Sequence, residues 1–322
     1  MRNRIKQCLL NGVFLLVLLG LLVFASRVFQ PKNNTEAAGM EDVAANGILG
    51  EPENSIDVLF IGDSVTYCSV IPNQIWRDYG ITSYVCGTSL QKLYYSKEFL
   101  YKAFETQSPK VVMLEMTPAY SNFMYKENYK TAWERLLPVF RYHDRWKDFL
   151  AAGKPDATLH VEYTHQEINK GYYYSPAIEA VEPKEYINVT DEAADMLSDC
   201  KKTLLDIKAF CEERDVELIL FSAPSAATWR PEYHNGIVKF AQEENLTYFD
   251  MNYMTEEVPI DWSKDSFDGG DHLNYDGAKK TTAYLGKYLN EMGIFTDKRN
   301  DAEYQSWNET QKKFYDEVVG EK

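Results

Sequence analysis

At 322 residues, 45% of them hydrophobic and 26% charged, the chain falls outside the composition classes of disordered and collagen-like sequences and can bury one large core or two small ones. Aspartate and glutamate number 49 against 34 lysines and arginines, a formal charge of −15 that repels a phosphate backbone and excludes nucleic acid as the expected partner. Five cysteines, at positions 8, 68, 86, 200 and 211 and never as a C-x-x-C pair, make neither a disulfide framework nor a structural zinc site, and five histidines offer little material for a metal cluster. No cofactor is implied.

The N-terminus reads as a membrane helix. Cys8 to Ala25 are 18 positions with one polar side chain, preceded by Arg2, Arg4 and Lys6. About 20 apolar residues span a bilayer and basic residues favour its cytoplasmic side, so residues 1–30 are expected to be a cytoplasmic tip and single-pass anchor with the body extracytoplasmic. A cleaved signal peptide is the competing reading, with Val23-Phe24-Ala25 as the small-residue site, although the apolar run is longer than a usual signal core. Residues 31–54 follow; the stretch from Asn33 is rich in Ala, Gly, Asn and acid and reads as a flexible tether.

Residues 55–300 alternate strand and helix. Asp57 to Ile61, Val111 to Met116 and Val216 to Phe221 are aliphatic runs of strand length, with weaker strands at Thr82 to Cys86 and Thr247 to Asp250. Helical spacing marks Leu93 to Thr106, Asp191 to Arg214, Pro231 to Glu244 and Asp276 to Met292. The expected fold class is α/β, a parallel sheet with helices on both faces. From about 120 to 187 the alternation breaks into a stretch dense in Tyr, Trp and charge, read as a helical insertion over the active face. Residues 301–322 are a polar C-terminal tail, set either to form a helix or to fray.

The first strand ends in Ile61-Gly62-Asp63-Ser64-Val65, which presents a hydroxyl at the carboxyl edge of a parallel sheet, where such proteins place ligands. Ser64 does not lie in G-x-S-x-G, and the bland alternative is that Gly-Asp-Ser turns the chain and caps a helix. Late in the chain, Phe267-Asp268-Gly269-Gly270-Asp271-His272-Leu273-Asn274 precedes a helix. A serine needs an imidazole within hydrogen-bond reach and a carboxylate to orient that imidazole, and this block supplies both residue types.

Gly62-Asp63-Ser64 after the first strand, Gly87 after the second and the His272-Leu273-Asn274 block before the last helix together resemble the SGNH (GDSL-type) hydrolase superfamily, over about residues 55 to 292 outside the insertion. With the anchor and the aromatic insertion, the chain looks most like the extracytoplasmic branch that includes the teichoic acid D-alanine transfer protein and the alginate O-acetylation proteins. The resemblance implies a flavodoxin-like sheet, Ser64 as nucleophile, His272 as base, and amides of Ser64 and Gly87 in an oxyanion hole. It also implies a membrane-bound O-acyltransferase as donor-side partner. Two positions depart from the pattern. The family's acid lies three residues before the histidine, where this chain has Gly269; Asp268 is favoured and Asp271 is the alternative, because an adjacent residue would have to fold back sharply to reach Nδ1. The Gly-x-Asn-Asp block after the third strand is replaced by Leu114-Glu115-Met116-Thr117-Pro118, so Gln91 or Thr117 would have to complete the oxyanion hole.

His143, Arg145 and Trp146 are candidates for a substrate groove, against the plainer reading of a charged surface helix. Tyr172 to Tyr174 would suit stacking on sugar faces, against core filling. The leading function is a membrane-anchored serine enzyme that moves or removes an ester-linked acyl group on a cell-envelope glycan; hydrolase and transferase share one acyl-enzyme, so the residues leave both open. The alternatives are a non-catalytic envelope glycan-binding or scaffold protein with a degraded triad, and an acidic metal site of Asp63, Asp268, Asp271 and Asp276 serving a phosphoesterase.

Overall fold

The computed structural model describes residues 2–122, 124–147, 159–182 and 186–320, which form two compact units. The first contains Met1–Glu41 with Met124–Thr164, the second Asp42–Phe123 with His165–Lys322.

In the first unit, α1 (Arg2–Phe29) is apolar along nearly its whole length and keeps those side chains exposed. Its Asn3–Phe29 portion is long and apolar enough to cross a membrane, a property that anchors and signal sequences share.

The second unit opens with the short α2 (Val43–Asn46) and is built on five strands: β1 (Val58–Gly62), β2 (Ser83–Gly87), β3 (Val111–Glu115), β4 (Glu217–Ser222) and β5 (Thr247–Asp250). Every strand expected from the sequence forms, within a residue at either end. All are parallel, in the order β2-β1-β3-β4-β5. Strands buried on both faces need apolar side chains at every position, which is why these runs do not alternate. Val58, Phe60, Met113, Ile219 and Phe221 pack on one face with Ile75 of α4 (Pro72–Tyr79), which follows α3 (Ser64–Ser69). Leu59, Ile61, Val112 and Leu114 are equally buried and point to the other face, where α5 (Leu93–Ala103) lies on β1.

The stretch between β3 and β4 is shared by both units. In the first, α6 (Tyr125–Leu136) and α7 (Val139–Tyr142) follow Met124, and α7 meets the end of α1, where the Val139 amide donates to Ser26 Oγ at 3.2 Å and Arg145 donates to the Phe29 carbonyl at 2.6 Å. In the second, residues 165 to 182 run without regular structure beside the sheet. The remaining helices are α8 (Ser198–Glu212), which lies on β4, α9 (Pro231–Glu244), α10 (Tyr275–Glu291) and α11 (Gln305–Lys313). Leu285 and Leu289 of α10 join the first face of the core. The tail takes its helical alternative: Trp307 and Phe314 are fully buried, and Trp307 packs on Trp76 at 5.5 Å.

The expected tether needs correction. Residues 45 to 50 are buried, the Tyr84 hydroxyl donates to the Ala44 carbonyl at 2.7 Å, and Cys86 Sγ lies 3.6 Å from the Ala45 carbonyl. Small residues let this backbone approach β2 and make contact through its carbonyls, so packing left no apolar periodicity to read. The same segment carries Glu51, whose Oε1 is 2.7 Å from Lys170 Nζ with both side chains 1% exposed. Burial pushes the Glu51 carboxyl up, and Lys170 opposes that. Lys170 also lies over the Trp307 ring, and its carbonyl accepts from the Val85 amide of the edge strand β2 at 3.0 Å.

Breaking this pair leaves a buried charge alone. Lys170→Met is expected to lower stability by about 3–5 kcal/mol, and Lys170→Met with Glu51→Leu to recover most of that, read from denaturant midpoints of the purified chain. A double variant no more stable than the single would show that the two charges are not coupled.

Candidate active site

The chain crosses from β1 to β2 on one side and then returns to β3 on the other, so the strand order switches direction at β1 and a cleft opens beyond the carboxyl ends of β1 and β3. Ser64 stands there as the first residue of α3. Asp63 before it is the N-cap, its carboxylate accepting from the Val65 amide at 3.0 Å. The Ser64 amide is at the start of that helix, where backbone donors lack an intrahelical partner.

The opposite half of the site comes from the loop ahead of α10. A bridge between Ser266 and Leu273 closes the loop, and Ser266 Oγ accepts from the Gly270 amide at 2.7 Å. Gly269 and Gly270 both have positive φ, +76° and +98°, which lets the backbone double back so that Asp268 faces the histidine four residues on. Asn274 then caps α10 through the Gly277 amide, and its Nδ2 ties the loop to the Ala177 and Lys264 carbonyls.

The result is a continuous hydrogen-bonded line. Ser64 Oγ lies 2.7 Å from His272 Nε2, and His272 Nδ1 lies 2.5 Å from Asp268 Oδ2, while Asp268 Oδ1 accepts from the His272 amide at 2.8 Å. With Nδ1–H donated to the carboxylate, Nε2 is left to accept the serine proton. The alternative acid, Asp271, is 3.7 Å from Nδ1 and accepts from Ser225 Oγ at 3.4 Å. The imidazole stacks on Phe267, ring planes 13° apart.

Other expected residues fall in different places. Gly87 ends β2 in register with Gly62, and a Cβ there would sit 3.2 Å from both the Asp63 carbonyl and the Tyr67 ring, so only glycine leaves this corner open. The Gln91 amide is turned inward, donating to Ser96 Oγ at 3.0 Å and the Cys86 carbonyl at 3.4 Å, which removes it as the oxyanion donor expected above. Thr117 bonds the Glu115 carboxylate through its amide and its hydroxyl. His143, Arg145 and Trp146 lie in the first unit, where Arg145 serves the end of α1. Cys68 and Cys86 are both free thiols. The tyrosine run splits: Tyr172 is buried, while Tyr173 is exposed with its ring 6.1 Å from Tyr67 and 5.9 Å from Phe267.

Two residues at the site carried no motif. Tyr67 is one turn beyond Ser64 on α3, its hydroxyl near Ser64 and Ser89; burial and nearby negative charge push it up to about 12, so it stays protonated. The only available signal was the i, i+3 spacing, which places two side chains on one helix face. Glu115, wholly buried at the end of β3, belongs to the segment that stands in place of the Gly-x-Asn-Asp block; burial and neighbouring Asp63 raise its carboxyl well above the usual range. Burial likewise lifts Asp63 to about 6, opposed by its bond to the Val65 amide and by His272. Asp268, Asp271 and His272 could between them ligate an ion, their ligand atoms lying within 4.8 Å of one another. A cation there would take the oxygen and nitrogen that orient the imidazole.

No family model and no curated protein sequence matches the chain. Solved structures that resemble it include a GDSL-like lipase and esterases. They include a GDSL-like lipase of Bacteroides thetaiotaomicron (12% identical, covering 77% of this chain and 99% of that one, TM-score 0.37) and an acetyl xylan esterase (12%, 73% and 99%, 0.39). A psychrotrophic esterase of Pseudoalteromonas is 9% identical over 74% of this chain and 99% of its own, with TM-score 0.41. Likeness at that level leaves the chemistry to be read from the site itself.

The raised Asp63 carboxyl has a consequence for stability. Its folded pKa lies above the ordinary carboxylate value of about 4, so the native state binds the proton more tightly and loses stability as pH rises from about 4 through about 6. Asp63→Asn keeps an oxygen for the Val65 amide and should flatten that part of the curve, measured as denaturant midpoint against pH. Parallel curves for the two proteins would rule the effect out.

Proposed function

We propose that the protein is a serine acyl-ester enzyme of GDSL type, an esterase or O-acyltransferase, held outside the membrane by α1 and acting on an ester-linked acyl group of a cell-envelope glycan. The observation that carries this reading is the Ser64–His272–Asp268 line at 2.7 and 2.5 Å on the carboxyl edge of the sheet.

In this reading Ser64 Oγ attacks the ester carbonyl carbon while its proton passes to His272 Nε2, and Asp268 steadies the imidazolium that forms. The carbonyl oxygen takes up negative charge facing the Ser64 and Gly87 amides, with the Tyr67 hydroxyl as a third donor in place of the missing asparagine. Collapse breaks the bond to the alcohol oxygen, which leaves with the proton from His272. The acyl group then sits on Ser64 until water or a sugar hydroxyl, deprotonated by His272, attacks it. Tyr173 and Phe267 offer aromatic faces beside the nucleophile, which suits the apolar face of a sugar ring. A membrane-bound O-acyltransferase is the proposed acyl donor partner.

Hydrolysis of p-nitrophenyl acetate and labelling by a fluorophosphonate test the reading. Ser64→Ala and His272→Ala are each expected to remove all but background turnover, a loss of about 10³-fold or more, and Asp268→Asn a smaller but still severe loss. Tyr67→Phe should lower kcat about 10- to 100-fold with little change in KM, as loss of an oxyanion donor does. Absence of both labelling and turnover in the unaltered chain would favour the glycan-binding alternative. Loss of activity on chelation, with Ser64→Ala still active, would favour the metal site.

A further inference from the structure

α6 is an amphipathic helix turned the wrong way for water. At about 100° per residue, Tyr125, Tyr129, Trp133 and Leu136 share roughly 80° of one face, with Thr131 and Glu134 on the opposite side. In a helix packed on a soluble body the apolar face turns inward. Here Thr131 and Glu134 turn inward, 3% and 9% exposed, while Tyr129 and Leu136 are 66% and 60% exposed and Trp133 is as open as they are. Phe140 of α7 is also exposed and extends the patch, its ring 6.4 Å from Trp133.

The position of this face along α1 identifies what covers it. The apolar run of α1 ends at Ala25, and the next residue, Ser26, accepts the α7 amide of Val139. Arg145 caps the last carbonyls of α1 at Phe29, and the Asn33 side chain, just beyond, bonds the Glu162 carbonyl and Thr164 Oγ1 at 3.0 and 2.8 Å. α7 is thereby fixed at the level where a spanning helix leaves the hydrocarbon, the depth at which Trp and Tyr concentrate in membrane proteins. Lys126 and Lys130 lie along one edge of the aromatic face, Lys130 also pairing with Glu127 and Glu134 at 3.6 and 3.7 Å, and basic residues are common on helices that lie in the headgroup region.

We infer that the Tyr125–Tyr129–Trp133–Leu136 face of α6, continued by Phe140, is a membrane footing that lies in the phospholipid headgroup and upper acyl region of the outer leaflet. This rests on α1 being a retained anchor. The occupant is the lipid surface itself; a partner membrane protein covering the same face is the outcome against which it is tested.

The experiment uses the full chain in vesicles of phosphatidylcholine and phosphatidylglycerol, with and without bromine on the acyl chains. Of the six tryptophans, Trp76, Trp229, Trp262 and Trp307 are buried in the second unit, and Trp133 and Trp146 belong to the first. In a Trp146→Phe background the brominated lipid is expected to quench part of the emission, and Trp133→Phe added to that background should abolish most of the quenching. An alkaline wash reports the anchor separately. Chain that stays in the membrane pellet but shows equal emission in both lipids overturns the footing and leaves the anchor standing, as a face covered by another protein would. Chain released by the wash removes the anchor, and the footing with it.

Discussion

Every large feature of the second unit serves one contact, the 2.7 Å hydrogen bond between Ser64 and His272, whose partners are 208 positions apart in the chain. A hydroxyl is a poor nucleophile without an imidazole at that distance, and neither a helix nor a loop alone can hold two such remote side chains within a few tenths of an ångström. The parallel sheet does so by setting Ser64 at the rigid end of β1, a strand paired on both sides. α10 does so from the other side, by packing Leu285 and Leu289 into the same core that Val58 and Phe60 of β1 occupy. The loop bearing His272 is then only as free as the bridge from Ser266 to Leu273 and the Asn274 cap allow.

The parts legible in the sequence are those whose physics is local. Buried parallel strands must be apolar at every position, and β1, β3 and β4 could be read for that reason. The preference for Asp268 over Asp271 followed from covalent geometry, and two glycines in the left-handed region are what make the turn possible. Less legible were features that depend on where backbone goes. The segment from 43 to 50 packs through its carbonyls and small side chains, which leaves no hydrophobic pattern. Gln91 has the right chemistry for an oxyanion donor, yet Ser96 on the following helix claims its amide, a partner that only the folded turn reveals. Tyr67 is the converse, an ordinary helical tyrosine that gains meaning from the hydroxyl beside it.

A second acid, Glu115, is buried at the end of β3 near Asp63. Burial raises the carboxyls of both Asp63 and Glu115, and Asp63 raises Glu115 further. Glu115 accepts from both the amide and the hydroxyl of Thr117, and its raised carboxyl resists a second negative charge being buried beside Asp63.

The segment that brings Tyr173 to the cleft has a second role that follows from the Lys170 carbonyl bonded to Val85. β2 is the last strand on its side of the sheet, and an uncovered last strand offers a template on which another chain can add itself. Residues 167 to 173 occupy that template with their own backbone and are pinned by a buried ion pair and by the Trp307 ring. An aromatic ring beside the Ser64–His272 pair and cover for the sheet edge are therefore carried by one short stretch. Remodelling the stretch therefore risks exposing the edge of β2 to another chain, a cost that changes on the Phe267 side would not carry.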